Sequence, residues 1–70
     1  MDMTEEIRAC AVKVTETLAR AGRVNVLSLA EMVGERSILV YQALGWLARE
    51  GTVIYTRNGT RVFVSLADEN

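Results

Sequence analysis

Apolar residues in the first third of the chain recur at steps of three and four, the period of one face of an α-helix. The positions on this face are Ile7, Ala11, Val14, Leu18 and Ala21. The pattern predicts a helix over residues 3–21, with Asp2 and Glu5 forming a capping box at its beginning. Gly22 follows at the position where a left-handed residue commonly ends a helix. The first element is therefore an amphipathic helix that needs a partner for its apolar face.

A second, shorter helix is indicated by the residues at its beginning. Ser28 and Glu31 stand three positions apart, the spacing of a capping box in which each side chain bonds the other residue's backbone amide. Leu27 and Met32 flank them at the spacing of a hydrophobic staple. Gly34 ends the pattern after barely two turns. Such a helix needs tertiary support, because isolated helices below about 12 residues are marginal.

A third helix is predicted over residues 37–50, with Gly51 ending it. Its inward face carries Val40, Ala43, Leu44 and Leu47. Leu39 and Trp46 form a neighbouring stripe, and we expect them to pack against the first helix or the sheet.

Strand-like residues surround an Asn-Gly pair near the carboxyl end. Residues 53–56 and 62–66 are rich in β-branched and aromatic side chains, and Asn58-Gly59 is the preferred centre of a two-residue type I′ turn. Residues 23–26 alternate polar and apolar and predict one further short strand. The turn would set three cross-strand pairs: Tyr55 with Val62, Ile54 with Phe63, and Val53 with Val64.

The order of these elements predicts the fold class. A hairpin needs cover for its apolar face, and three helices can supply it. We therefore predict an α+β winged helix-turn-helix fold, with three helices, a short strand and a C-terminal β-hairpin wing. Residues 1–70 are expected to form a single domain of this kind.

The chain also resembles short prokaryotic winged helix-turn-helix proteins of uncharacterised function. Residues 29–34, Val40 and residues 43–51 carry the resemblance, and its most specific part is the run Ala-Leu-Gly-Trp-Leu-Ala-Arg-Glu at 43–50. The resemblance implies the fold and brings no catalytic residues and no established ligand. Such proteins often open the third helix with Ser or Thr where this chain has Arg36, so Ser37 is the expected cap.

Composition narrows the class of protein. Half of the 70 residues are apolar, and eight Lys and Arg against nine Asp and Glu leave a net charge of −1. There is one cysteine and no histidine, so the chain offers neither an internal disulfide nor a histidine for a metal site. No apolar run approaches the roughly 20 residues that span a bilayer, and the acidic amino terminus does not look like a signal peptide. We expect a reduced, cytoplasmic protein without a membrane partner.

An enzymatic function is not expected, because the sequence lacks a set of catalytic groups. Cys10 lies at the edge of the inward face of the first helix, where a cysteine behaves as a small hydrophobe. Residues 58–60 match a glycosylation sequon, but a hairpin turn explains them without secretion. No cofactor, metal or small-molecule substrate is predicted.

Double-stranded DNA is one predicted partner. In helix-turn-helix proteins the second helix of the pair enters the major groove, and a wing can follow the phosphates. Gln42 could pair with adenine, and arginines could reach guanine or phosphate. The contact candidates are Arg36, Ser37, Gln42, Arg49, Arg57, Asn58 and Arg61. Four arginines are few for a strong binder, and Glu31, Glu35 and Glu50 oppose them, so a monomer should bind weakly.

A protein partner is the alternative, as a protein–protein interaction or homodimerisation module that does not bind DNA. Dedicated DNA-binding domains are usually basic, and this chain is not. Large apolar side chains are predicted on outward positions, and a mid-helix glycine there would let a second backbone approach. The interface candidates are Ile38, Tyr41, Gly45, Ile54 and Phe63. The sequence leaves both alternatives open.

Overall fold

The computed structural model describes residues 2–67, and within them the chain forms three helices and three strands. In chain order these are α1 (Thr4–Ala21), β1 (Val24–Asn25), α2 (Val26–Val33), α3 (Ser37–Arg49), β2 (Val53–Asn58) and β3 (Arg61–Leu66). The predicted α+β architecture of helices and a closing hairpin is confirmed.

The three strands form one antiparallel sheet in the order β1-β3-β2. Val24 of β1 stands opposite Val64 of β3, and Val64 stands opposite Tyr55 of β2 on the other side. The last strand of the chain is therefore the central one. β2 is an edge strand, and five of its six residues are exposed.

One core joins the helices to the sheet. Its largest fully buried side chains include Val14, Leu18, Leu29, Val40, Leu44 and Val64, drawn from all three helices and the central strand. The predicted inward face of α3 is confirmed, and so is that of α1 at Ala11, Val14 and Leu18, whereas Ala21 is exposed. Cys10 is buried among these residues. Leu39 is buried as expected, whereas Trp46 keeps 40% of its surface exposed and only borders the core.

The predicted capping box of α1 is wrong. Met3 is the N-cap residue, and the Asp2 carboxylate accepts hydrogen bonds from the amide of Thr4 at 2.9 Å and from its hydroxyl at 2.6 Å. These bonds hold the pKa of Asp2 below its ordinary value. Glu5 bonds Arg8 instead of reaching back, because the helix begins two residues after Asp2 and Glu5 already lies in its first turn.

The start of α2 also differs from the prediction. Asn25 is the cap: its side-chain oxygen accepts the Leu27 amide at 2.9 Å, and its extended backbone ends β1 directly before the helix. Ser28 therefore lies inside the first turn, so the predicted box of Ser28 and Glu31 is wrong. The staple is wrong for the same reason, since this early start leaves Leu27 77% exposed.

α3 begins without a side-chain cap. Arg36, not Ser37, is the N-cap residue, and its carbonyl accepts the amides of Leu39 and Val40 at 3.0 and 3.1 Å. The predicted Ser37 cap is therefore wrong. At the other end, Gly51 has a φ of 79° and the predicted stop is confirmed.

The hairpin turns one position later than predicted. Asn58 pairs with Arg61, so Gly59 and Thr60 form the two-residue loop. Gly59 has a φ of 66°, and glycine at the first central position suits a two-residue turn with positive φ there.

This turn shifts the pairing by two residues. Ile54 faces Ser65, and Phe63 faces Thr56, so the predicted opposition of Ile54 and Phe63 is wrong. A shift of two keeps every side chain on its predicted face, because side chains alternate with period two. Val53 and Val64 consequently still lie in the core.

The cap of α2 yields a direct test. We expect Asn25→Ala to lower the free energy of unfolding by about 1 kcal/mol, because it leaves the Leu27 amide without its bond. Ser28→Ala is the control and should change the free energy by less than about 0.5 kcal/mol. Urea unfolding of both variants measures this. If Ser28→Ala lowered the free energy of unfolding more than Asn25→Ala does, Ser28 would be the cap of α2 after all.

Candidate nucleic-acid interface

A tight turn places α3 against α2. Gly34 ends α2 in the left-handed region, with a φ of 81°, and its amide bonds the Ala30 carbonyl at 3.0 Å. Three residues after Gly34, α3 begins at Ser37. The pair is the helix-turn-helix unit that the sequence predicted, with one face of α3 in the core.

The opposite face of α3 is exposed to solvent. Gln42 and Arg49 lie on it, and so do Tyr41 and Gly45. These four residues line a groove of about 540 Å³ between α3 and the first turns of α1. The groove thus mixes residues predicted for DNA contact with residues predicted for a protein interface.

Sequence reasoning gave no functional role to four residues that line this groove, among them Arg8 and Trp46. Arg8 of α1 contributes a second guanidinium, and Trp46 contributes an exposed aromatic wall. The position of Arg8 follows from how α1 packs on α3, which the helical period alone does not reveal. Trp46 could have been identified from its stripe, which lies beside the inward face rather than on it.

Ion pairs tie the turn before α3 to α1. Glu35 bonds Lys13, and the guanidinium of Arg36 lies 4.0 Å from the Glu6 carboxylate. The bond to Glu35 raises the pKa of Lys13. Glu35 therefore opposes a phosphate less than its charge implies, and Arg36 is partly engaged within the chain.

The wing carries three of the predicted contact residues. Asn58 and Arg61 stand opposite each other beside the Gly59-Thr60 loop, with Arg57 next to Asn58. All three are exposed, and no carboxylate of residues 2–67 lies within 4.0 Å of Arg57 or Arg61. The structure brings these residues together at the tip of the hairpin.

Two of the predicted interface residues lie in the sheet. Phe63 is partly covered by Arg23, whose guanidinium carbon lies 4.6 Å from the ring centroid, a cation–π arrangement. Ile54 is exposed on the edge strand. Ile54 and Phe63 still share one face of the sheet, but they are diagonal neighbours and not directly opposite, because Ile54 faces Ser65 and Phe63 faces Thr56.

The single cysteine, Cys10, is buried in the core. Burial raises the pKa of the Cys10 thiol, and the nearby Glu35 carboxylate raises it further, so the thiol stays protonated near neutral pH. Over residues 2–67, no cluster of three metal-ligating side chains is present. No helix in the same range is long and apolar enough to cross a membrane.

Three helices, a helix-turn-helix pair with an exposed second helix, and a closing hairpin define a winged helix-turn-helix protein. The chain belongs to the family described as "Winged helix-turn-helix domain (DUF2582)", whose model matches residues 1–66. The fold class and the resemblance predicted from the sequence are thereby confirmed. No curated protein matches the chain.

Two solved structures have a similar fold. The Zalpha domain of Carassius auratus PKZ, solved in complex with Z-DNA, superposes with a TM-score of 0.72 at 21% identity, covering 87% of this chain and 97% of that one. A possible transcriptional regulatory protein (fragment 1–100) from Mycobacterium bovis gives a TM-score of 0.64 at 21% identity, covering 91% and 77%. At these identities the likeness concerns the fold, which is typical of non-enzymatic DNA-binding domains.

Gly45 has no packing reason within the part of the chain that is described. A Cβ added there would meet no heavy atom within 4 Å beyond the adjacent helix backbone. We therefore expect Gly45→Ala to raise the free energy of unfolding by about 0.5–1 kcal/mol, the usual gain for this exchange within a helix. Gly51→Ala, where φ is 79°, should instead lower it. Thermal unfolding compares the two, and a destabilising Gly45→Ala would reveal a close contact at that position.

Proposed function

We propose that the protein is a weak DNA-binding module of transcription-regulator type, with the outer face of α3 in the major groove and the wing along the backbone. The observation that carries this proposal is the exposed set of polar and cationic side chains on these two elements. Gln42 and Arg49 are the base-reading candidates of α3. Arg57, Asn58 and Arg61 are the backbone candidates of the wing.

The charges support weak rather than strong binding. Four arginines, at positions 36, 49, 57 and 61, are within the proposed footprint. Four phosphate contacts give a salt slope of about −3.6, so affinity should fall on the order of 10² between about 50 and 200 mM salt. The Arg36–Glu6 pair is long and largely exposed, so it holds Arg36 only weakly, and the pairing of Glu35 with Lys13 offsets one opposing charge.

The structural neighbours support the same partner. One of them was solved with Z-DNA and another is described as a possible transcriptional regulatory protein, and both share the fold rather than close sequence. We infer a cytoplasmic protein that acts through binding, without a cofactor. The proposal concerns binding of a duplex by the outer face of α3 and does not specify a target sequence.

An NMR titration tests the DNA proposal. Adding a mixed-sequence duplex at low salt should shift the amide signals of residues 36–42 and 57–61, and the shifts should fade as salt is raised. Arg61→Gln should make the salt slope shallower by about 0.9. Arg20→Gln, in the last turn of α1, is the matched control and should leave the slope unchanged. Absence of shifts at about 50 mM salt, where phosphate contacts are strongest, would remove the proposal.

A second candidate is homodimerisation through the outer face of α3. Ile38 is 57% exposed and Tyr41 45% exposed, and they lie one helical turn apart. Two large apolar side chains on one exposed face are typical of an interface. In this reading the module binds a second copy and does not need DNA.

Matched substitutions test this second candidate. Val12 of α1 is 55% exposed, close to the 57% of Ile38, and it lies on a different helix. We expect Ile38→Glu to abolish any concentration dependence of sedimentation, because it places a charge in the interface. Val12→Glu should leave that dependence intact. A wild-type chain that sediments as a monomer at all concentrations would exclude the homodimer.

A further inference from the structure

The groove between α1 and α3 has the size of a small-molecule site. Its volume of about 540 Å³ falls within the range of roughly 300–1,000 Å³ that such sites occupy. Ile7 of α1 and two aromatic residues of α3, Tyr41 and Trp46, provide apolar walls. Gly45 lies among them and leaves the middle of the groove open, because it has no side chain.

The charged side chains that line this groove are both cationic. They are Arg8 from α1 and Arg49 from α3, and no Asp or Glu lines it in the described chain. Arg8 bonds Glu5 at 3.1 Å, but both partners are largely exposed, and such surface pairs are weak. Arg49 has no carboxylate within 4.0 Å among residues 2–67.

This lining selects one class of ligand. A guanidinium is a planar fork that bonds a carboxylate through two parallel N–H groups. Aromatic side chains favour a second ring in an offset or edge-to-face arrangement. We propose that the groove binds a small aromatic carboxylate, with its acid group on Arg49 and its ring against Trp46 and Tyr41.

A bound aromatic carboxylate would also explain why a glycine occupies position 45 within α3. A glycine within a helix costs about 1 kcal/mol relative to alanine, and nothing in residues 2–67 approaches the position of its missing Cβ. A side chain at this position would project into the groove. The open space beside Gly45 is therefore available to a ligand.

The groove shares Gln42 and Arg49 with the proposed DNA face. A bound carboxylate would occupy these residues and compete with a duplex for them. The ligand site itself does not depend on DNA binding. Its test contains no DNA, so a failed ligand titration leaves the duplex proposal standing, and the reverse also holds.

Indole-3-acetate is a suitable probe, titrated into the 70-residue chain and followed by NMR. Trp46 is the single tryptophan, so its indole N–H gives one signal inside the groove, and the Gly45 amide gives another. We expect saturable shifts of both signals. Indole-3-acetamide, which lacks the charge, and inorganic phosphate, which lacks the ring, should each bind about ten-fold more weakly.

Three variants locate the site. Arg49→Gln should weaken indole-3-acetate about ten-fold, whereas Arg61→Gln, on the wing, should leave its affinity unchanged. Gly45→Leu should fill the groove and abolish binding while the amide spectrum stays that of the folded chain. Equal binding of the amide or of phosphate overturns the proposal, as does wild-type affinity in Gly45→Leu. Equal losses in the two arginine variants would also overturn it, because they would indicate general charge attraction.

Discussion

The packing of α1 against α3 in one core is the constraint from which the rest of the surface follows. Val14 and Leu18 of α1 and Val40 and Leu44 of α3 are almost completely buried in it. A helix with one face in a dry core must present its opposite face to solvent or to a partner. The exposed face of α3, the groove beside α1 and the position of Arg8 all result from this one arrangement.

The exposed face of α3 has a mixed character that distinguishes this chain from a strongly basic DNA-binding domain. It combines Gln42 and Arg49 with Tyr41 and Ile38, in a chain with a net charge of −1. Polar and cationic groups favour a nucleic acid, and exposed apolar groups favour a protein or an aromatic ligand. These partners share residues on one face, so they would compete for it rather than bind independently.

Two of the differences between sequence and structure, at the start of α2 and in the hairpin, occur where two local signals competed. Ser28 has the spacing of a capping box, but Asn25 leaves the sheet with an extended backbone that presents its side chain to the Leu27 amide, so Asn25 caps α2. Asn-Gly is a strong turn signal, but Asn58 pairs with Arg61 and the loop moves to Gly59. In both cases two local motifs were compatible with the sequence, and the one that allows pairing with β3 is the one observed.

Periodicity determined from the sequence alone which residues lie inside, because burial of an apolar face depends on spacing that is independent of exact boundaries. It therefore predicted most of the inward faces of α1 and α3. It also predicted which face of the hairpin each side chain occupies, because a register shift of two leaves these faces unchanged. Only the tertiary structure decided the cap of α2, the hairpin register and the groove lined by Arg8, Trp46 and Arg49. The groove depends on how α1 packs against α3, which are remote in the chain, and the cap and the register depend on pairing with β3. No local pattern encodes these contacts between elements.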